Sequence, residues 1–318
     1  MKGIFVIFKK ELADHFSSYR FLILFALIAM VSMLTAYMAG LNMAKNLESI
    51  AKPKFIFMMM FTSSGAGFSL VDFVSFFGPL IGIILGFDTI NRERNEGTLS
   101  KLLSQPIYRD AVVNGKFLAG LSLIAIMMTS ILLVVSALGL IIIGVVPGLE
   151  EVWRIFIYLL ISIFYIAFWL GLAILFSILF RSVATSALAS IAAWVFFSFF
   201  LSLGANAVSN ALTPDASESN PEGLMLRAKI EKAISLASPL NLYSDATATV
   251  IDPMKKTTQS VVQVGMMEQI SMARFSGPLP LLQSILVVMP YIISLIAITI
   301  ICFGISYTIF MRQEIRSL

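Results

Sequence analysis

The chain has 318 residues, of which 58% are hydrophobic and only 13% are charged. That charged share is about half of what a soluble domain carries. The mean hydropathy is +0.93, and several apolar runs exceed the roughly 18 residues that indicate a membrane-spanning helix. The composition therefore excludes a soluble fold and indicates an all-α integral membrane protein. The net charge of +4 matters less than which side of the membrane the basic residues occupy.

Most catalytic chemistry is excluded by the residues that the chain lacks. The single cysteine, Cys302, rules out an intrachain disulfide and a cysteine-based metal site. The single histidine, His15, rules out an HExxH metal site. The sequence has no GxxxxGK[ST] motif and therefore no phosphate-binding P-loop. We predict that the chain is not an enzyme, holds no cofactor or metal of its own, and has the lipid bilayer rather than a nucleic acid as its surroundings.

The predicted elements begin with an amphipathic helix over residues 1–20. Ile4, Ile7 and Phe8 share one face at helical spacing, while Lys9 and Lys10 lie on the other, as in helices that lie in the membrane interface. Six apolar segments follow, each long enough to cross about 30 Å of hydrocarbon. The predicted spans are 21–43, 68–90, 117–146, 155–180, 183–207 and 286–311.

Orientation follows from the distribution of Lys and Arg. If the N-terminus is cytoplasmic, most basic residues outside the longest loop lie on the cytoplasmic side, as the positive-inside rule requires. Six spans then return the C-terminus to the same side. We expect a multi-pass protein of the cell (plasma or inner) membrane with both termini in the cytoplasm.

The segment 208–282 is the least membrane-like part of the chain and is expected to be a large extracytoplasmic loop. Asn220 and Pro221 indicate the start of a short amphipathic helix, and Ser238-Pro239 indicates its end. The apolar run 280–290 is too short to span, which suits a re-entrant half-helix. A single long last span kinked at Pro290 is the alternative.

The segment 88–116, between the second and third spans, is the expected cytoplasmic loop. Thr98 is suited to cap a short helix there, and Pro106 discourages its continuation. Leu99, Leu102 and Leu103 form one apolar strip on that helix. The strip either enters a groove on a partner or folds back against the membrane.

This loop resembles a known family. The run Asn91-Arg92-Glu93-Arg94-Asn95-Glu96-Gly97-Thr98-Leu99 is similar to the first cytoplasmic loop of type-2 (ABC-2) ATP-binding-cassette transporter permeases. The runs 8–16 and 114–117 also resemble that family, and 238–243 resembles an outer-loop motif of its subfamily that includes the nitrous-oxide-reductase maturation permease. The resemblance covers roughly residues 4–117, and the long outer loop departs from a minimal permease of this type.

The resemblance implies a mechanism. In this family the loop carries a coupling helix that docks on a separate ATPase subunit, and the amphipathic N-terminal helix is a connecting helix beside the same contact. ATP and Mg are bound by two copies of that partner ATPase, and a second permease copy or a paralogue completes the membrane part. The positions that correspond to the coupling contact are Glu93, Glu96, Gly97, Thr98, Leu99 and Leu102.

Small residues mark two spans as close-packed or as lining a path. The second span carries Gly78, Gly82 and Gly86 at four-residue spacing, with Pro79 beside the first. Such a stripe lets another helix approach closely, either within the chain or across a dimer. The fifth span has its own small-residue stripe, which includes Ser186 and Ser190. The resemblance places these two spans along the central path.

We expect the chain to be the permease subunit of an ATP-driven exporter. An alternative is a membrane subunit that passes ATP-driven motion to an extracytoplasmic partner without moving a cargo. An ion-coupled carrier is disfavoured, because Asp72 and Asp88 lie near the two ends of the second span rather than at its centre.

Overall fold

The structure is a computed structural model, and it describes residues 2–47, 55–62, 69–105, 107–214, 221–255 and 277–313. Every regular element in these residues is a helix. The helices are α1 Lys2–Phe16, α2 Tyr19–Leu47, α3 Ile56–Thr62, α4 Leu70–Gly86, α5 Asn91–Asn95, α6 Thr98–Leu103, α7 Arg109–Ile143, α8 Leu149–Leu179, α9 Val183–Val195, a π-helical turn Phe196–Phe200, α10 Leu201–Leu212, α11 Pro221–Ser235, α12 Pro239–Ile251 and α13 Leu281–Arg312.

Six helical stretches in these residues are long and apolar enough to cross a membrane, as the sequence predicted. They are Tyr19–Lys45, Leu70–Asn95, Arg109–Ile143, Leu149–Leu179, Val183–Leu212 and Leu281–Arg312. We call the end of the molecule where α1, α5 and α6 lie the base, and the opposite end the far end. The third stretch begins earlier than predicted because α7 continues as one helix into the polar loop at the base.

Local sequence explains where several of these helices begin and end. Ser69 caps α4, and its backbone N–H donates in return to the carboxylate of Asp72, which forms a capping box. Ser182 accepts a hydrogen bond from the Thr185 backbone and starts α9. Gly144 ends α7 with φ 68°, a left-handed conformation that favours glycine. The capping role accounts for Asp72 at the end of the second span.

The glycine stripe of the second span packs against α8 of the same chain. A Cβ added to Gly82 would lie 2.6 Å from the carbonyl oxygen of Ile166. One added to Gly86 would lie 2.7 Å from the Cβ of Ala173, and one added to Gly78 would lie 3.1 Å from a side-chain carbon of Ile166. The close approach therefore occurs within the chain, and the dimer alternative for this stripe is not needed to explain it.

The segment predicted as an external loop contains a helical hairpin. α11 forms as predicted, although its expected cap, Asn220, lies outside the described residues, and it packs back along α10 towards the base. At the tip, the Ser238 hydroxyl donates to the carbonyl of Phe197 at 2.9 Å. Phe197 lies about 14 residues, or about 21 Å, beyond the start of α9. The hairpin therefore reaches about halfway along the fifth span.

The returning arm, α12, is buried among the spans rather than exposed in a loop. The ring of Tyr243 stacks on that of Tyr165 in α8, with centroids 4.3 Å apart. The Tyr243 and Ser162 hydroxyls are hydrogen-bonded at 2.9 Å. Near the other end of α12, the Thr249 hydroxyl donates to the Ser284 carbonyl of α13. These contacts hold the arm against the fourth and sixth spans.

Arg154 fastens this arrangement at the far end. The predicted fourth span begins only at residue 155, but Arg154 lies inside α8 with its side chain fully buried. Its guanidinium donates to the carbonyls of Thr249, Val250 and Leu279 and pairs with Glu150 at 2.8 Å. Because these partners belong to α8, to the C-terminal end of α12 and to the chain entering α13, one side chain joins all three.

One further expectation is corrected, and one element was not predicted. The re-entrant half-helix at 280–290 does not form, since α13 is one helix from Leu281 to Arg312 that continues through Pro290. The connection between the first two spans contains an additional buried helix, α3. Phe57 and Met60 of α3 lie against Gly139 of α7, where a Cβ would meet the Met60 sulfur at 2.6 Å.

Candidate functional site

The site is the base, where the second span breaks and continues into the loop 88–116. Because the family resemblance predicts that this loop couples the chain to an ATPase, we call it the coupling loop and its helix α6 the coupling helix. α4 ends at Gly86. The backbone carbonyl of the next residue, Phe87, accepts hydrogen bonds from the Ser186 hydroxyl at 2.8 Å and from the Asn91 side-chain amide at 3.2 Å. The Ser177 hydroxyl oxygen accepts hydrogen bonds from the backbone N–H groups of Ile90 and Asn91. Buried hydroxyls of the fourth and fifth spans thus satisfy backbone groups that the helix break leaves unpaired.

Gly97 makes the turn between α5 and α6. Its φ is 70°, as expected for a glycine in a turn before the coupling helix, and nothing lies within 4 Å of the position of a Cβ. The turn therefore requires glycine for its backbone conformation rather than for space. Thr98 was expected to cap α6, but Gly97 holds that position, and the Thr98 hydroxyl donates back to the Glu93 carbonyl.

Four charged residues at the base form an ion-pair cluster, which we call the Lys116 cluster: Lys10, Glu11, Glu93 and Lys116. The Lys116 ammonium lies 2.9 Å from a Glu11 carboxylate oxygen and 3.0 Å from one of Glu93. The Lys116 side chain is only 2% exposed. Lys10 lies 3.1 Å from the same two oxygens. The cluster joins α1, α5 and α7.

Electrostatics favour the charged forms of Glu11 and Lys10 in this cluster. Burial disfavours the charged form of Glu11, but the ammonium groups of Lys116 and Lys10 outweigh that cost and lower the pKa of the Glu11 carboxyl. Burial likewise opposes the charge on Lys10, but Glu11 and Glu93 raise the pKa of its ammonium. Two cations therefore face two anions, and the buried charge is compensated within the cluster.

A close helix contact places α1 beside α7 next to the cluster. A Cβ at Gly115 would lie 2.7 Å from a side-chain carbon of Ile7. Ile7 is 2% exposed. Gly115 therefore lets α1 lie directly on α7, one residue before Lys116. The amphipathic N-terminal helix is thus part of the folded base.

The apolar strip of the coupling helix does not face outwards as a whole. Leu99 is 1% exposed and belongs to the main hydrophobic core of the chain. Leu102 is half-buried and packs against that core. The family resemblance implies that both leucines contact a partner ATPase, whereas Leu99 serves internal packing in the structure. Several polar residues of this loop are exposed, and they include Glu96, Thr98 and Lys101.

Beside the loop lies a cleft of about 910 Å³, which we call the basal cleft. α1, the start of α2 and the coupling loop line it, and both signs of charge are present on its walls. Arg20 and Asp88 form an ion pair there at 2.8 Å. Leu102 and Glu96 stand at the same cleft. A partner that entered it would contact α1 and α6 together.

The structure divides the sequence-predicted positions into three groups. Gly97, Thr98, Glu96 and Leu102 lie at the accessible part of the base. Glu93 and Leu99 lie nearby, but their side chains serve internal contacts. The positions predicted for helix packing or for the path are all buried, and they are Gly78, Pro79, Gly82, Gly86, Ser186 and Ser190.

Sequence reasoning missed Lys10, Glu11 and Lys116 as members of the site. The signal was present, because two of the segments that resemble the transporter family, 8–16 and 114–117, contain these residues. What the sequence does not show is that the two segments meet. Only the packing of α1 on α7 brings their charges within 3 Å of each other.

The described helices define the class as a multi-pass, helical membrane protein. Within that class, residues 5–315 match the family described as ABC-2 family transporter protein. The chain therefore belongs to the ABC-2 family of transporter proteins, which confirms the family resemblance seen in the sequence. Membrane components of this family work with an ATPase partner and typically have no ATPase site themselves. No individually curated protein matches the chain.

Proposed function

We propose that the chain is the membrane-spanning permease subunit of an ATP-binding-cassette exporter, driven through its base by a separate ATPase subunit. The observation that carries this proposal is the Lys116 cluster. Because its ion pairs connect α1, α5 and α7, a displacement of the coupling loop is passed to the third span instead of being absorbed by a flexible loop. The outward direction rests on the resemblance of the loop to type-2 permeases.

The contact with the ATPase is assigned to the exposed edge of the coupling loop and to the basal cleft. Glu96 pairs with the neighbouring Arg92 on the surface, and both side chains are more than half exposed. Thr98 and Lys101 are exposed on the same loop. Leu102 supplies an apolar contact at the cleft wall. Glu93 and Leu99 support this surface from within.

The complete transporter in this proposal contains two permease chains, or this chain and a paralogue, and two ATPase subunits. ATP and Mg belong to the ATPase subunits. The complex lies in the plasma or inner membrane, and the base faces the cytoplasm, because the loops at the base carry most of the Lys and Arg residues of the short loops. Among ABC-2 permeases, the nitrous-oxide-reductase maturation subfamily is the one that the sequence motifs favour.

The test is the double variant Thr98→Trp, Lys101→Glu, co-expressed with the ATPase subunit. It adds bulk and reverses a charge on the exposed edge without touching a buried residue. Recovery of the ATPase with the affinity-purified permease should fall at least ten-fold, while the amount and unfolding temperature of the permease stay unchanged. Lys229→Glu, an equal charge reversal at an exposed lysine of α11, is the matched control.

The proposal fails if the double variant retains the ATPase as well as Lys229→Glu does. A double variant that inserts poorly would indicate a structural role for this edge and would contradict its assignment as a docking surface. Leu99→Asp is unsuitable for the test, because Leu99 is buried and its replacement would disturb the fold.

A further inference from the structure

Three arginines lie at the base, where several of the spans end. Arg94 is near the end of the second membrane-spanning stretch, Arg109 begins the third, and Arg181 comes two residues after the fourth. All three therefore lie close to the level at which the spanning helices leave the hydrocarbon. We call these residues the arginine cluster.

The arginine cluster is assembled around Gln313, which directly follows the sixth membrane-spanning stretch. The Arg94 guanidinium donates to the side-chain oxygen of Gln313 at 2.6 Å, and the Arg109 guanidinium donates to its backbone carbonyl at 3.1 Å. Arg181 lies beside them, because the side-chain amide of Asn95 donates to the Arg181 carbonyl at 3.1 Å. Arg181 is also close enough to Arg94 for the two like charges to repel each other. The cluster thus connects the ends of four spans.

The partners of these arginines leave their charge uncompensated. Gln313 is neutral, and the second acceptor of Arg94 is the backbone carbonyl of Ile178 at 3.5 Å. In the part of the chain that the structure describes, no carboxylate forms an ion pair with any of the three arginines. Described residues engage two N–H groups of Arg94 and one of Arg109. Because a guanidinium has five N–H donors, most donors of the cluster remain available.

The opposite side of α5 shows the contrast. Arg92, on the same short helix as Arg94, pairs with Glu96 at 2.9 Å. Arg20 pairs with Asp88 at 2.8 Å at the basal cleft. These arginines are matched by carboxylates, whereas the arginine cluster, which faces the ends of the fourth and sixth spans, is not. The base therefore carries a local excess of positive charge on that side.

The surroundings of the arginine cluster are those of a membrane interface. Leu179 and Met311, at the ends of the fourth and sixth spans, are exposed large apolar residues. Tyr108, directly before Arg109, is 84% exposed. Exposed apolar residues at the end of a span contact acyl chains, and tyrosine is enriched at the level of the headgroups. This setting favours a lipid over a surface of the ATPase as the source of the missing negative charge.

We propose that the arginine cluster binds the phosphate group of an anionic phospholipid in the leaflet that meets the base. Planar guanidinium groups match the geometry of phosphate oxygens and can donate to two of them at once. Basic pockets between membrane-spanning helices bind anionic headgroups for this reason. A zwitterionic lipid brings its own cation and compensates the cluster less well. The site goes beyond the proposed function, since it requires no contact with the ATPase.

The test is native mass spectrometry of the full chain in detergent, titrated with lipids that differ only in the headgroup. The probes are dioleoylphosphatidylglycerol and dioleoylphosphatidylcholine, and inorganic phosphate is the competitor. Phosphatidylglycerol should bind at least ten-fold more tightly than phosphatidylcholine, and an equal concentration of inorganic phosphate should not displace it. Equal affinities for the two lipids overturn the proposal. Displacement by inorganic phosphate would assign the site to the free anion and would also overturn it.

Variants locate the site. The double variant Arg109→Gln, Arg181→Gln should weaken the apparent affinity for phosphatidylglycerol at least ten-fold. Arg92→Gln, an equal loss of charge on the other side of α5, should leave it unchanged. Arg181→Gln alone replaces an exposed side chain and should weaken the affinity several-fold, which keeps the proposal testable if the double variant does not fold.

Two results from these variants contradict the assignment to a lipid. The first is wild-type affinity for phosphatidylglycerol in Arg181→Gln, or an equal loss in Arg92→Gln. The second is a loss of ATPase recovery in Arg181→Gln with unchanged lipid affinity, which would show that the arginine cluster contacts the ATPase instead.

Discussion

At the scale of single residues, the burial of an ion pair decides how much it contributes to the stability of the base. Arg92 and Glu96 are each more than half exposed, and a pair of this kind contributes about 0–1 kcal/mol. Lys116 is 2% exposed and faces Glu11 and Glu93, whose side chains are 9% and 13% exposed. Removing one member of such a buried set costs about 3–5 kcal/mol, because the remaining charges lose their partner.

Lys116→Met should therefore destabilise the permease. The substitution keeps a long apolar stem but leaves two buried carboxylates with Lys10 as their one remaining cation in the cluster, so we expect a loss of about 3–5 kcal/mol. The measurement is the unfolding temperature of the purified chain, together with the rate at which a protease removes α1. Lys9→Met, at an exposed lysine of α1, should change neither.

A double variant distinguishes the loss of stability caused by the broken ion pair from the loss caused by altered packing. If the charge of Lys116 is what matters, adding Glu93→Gln to Lys116→Met should restore part of the lost stability, since it removes one of the unpaired carboxylates. Strictly additive losses would show that the two side chains do not interact. Equal stability of Lys116→Met and Lys9→Met would contradict the role assigned to the cluster.

At the scale of elements, the sequence was most informative where an apolar run is long. Such runs predicted the six spans, because a segment without charges over that length has few alternatives to a membrane-spanning helix. The burial of α12 was not predicted in this way, because Asn241, Ser244 and Asp245 make its sequence as polar as that of a loop. The hydrogen bonds of Tyr243 and of Thr249 that allow its burial come from distant spans and cannot be read locally.

In the coupling loop, too, local features could be predicted from the sequence, while contacts with distant residues could not. The left-handed turn at Gly97 was predictable, because glycine before a short helix is a local signal. The inward direction of Leu99 was not, because an apolar strip on a short helix fits a partner's groove as well as it fits the chain's own core. The base also depends on Ser177 and Ser186, whose partners lie 86 to 99 residues away in sequence.

The hairpin predicts a distinct pattern of accessibility to a membrane-impermeant maleimide. Ser104→Cys in the coupling loop should react only from the cytoplasmic side, and Lys229→Cys on α11 only from outside. Thr247→Cys should react from neither side, because residue 247 on α12 is 1% exposed. The native Cys302 is buried and should contribute little background. The measurement is labelling in intact cells and in permeabilised membranes.

Two results would contradict this topology. Labelling of Ser104→Cys and Lys229→Cys from the same side would exclude the three membrane crossings that the six-span topology places between these two positions. Labelling of Thr247→Cys as fast as Lys229→Cys would show that α12 lies in an open loop.

At the scale of the whole molecule, the spans differ in how well the chain covers them. In the most apolar window of the fourth span 61% of the residues are buried, and in the second span 56%. The corresponding share is 28% in the first and sixth spans and only 11% in the fifth. The fourth span is therefore the centre of the folded chain, and the fifth presents most of its surface to whatever surrounds the monomer.

A second permease copy is expected to cover the fifth span, in keeping with the proposal that two such chains form the membrane part. Leu188 of the fifth span and Met30 of the first are each 67% exposed, which makes them a matched pair. In the complex with the ATPase, Leu188→Cys should give a cross-linked permease dimer in at least several-fold higher yield than Met30→Cys. The isolated permease should hydrolyse no ATP, while the complex, weighed by native mass spectrometry, should contain two permease chains. Equal cross-linking at both positions, or a complex with one permease chain, would contradict a dimer built on the fifth span.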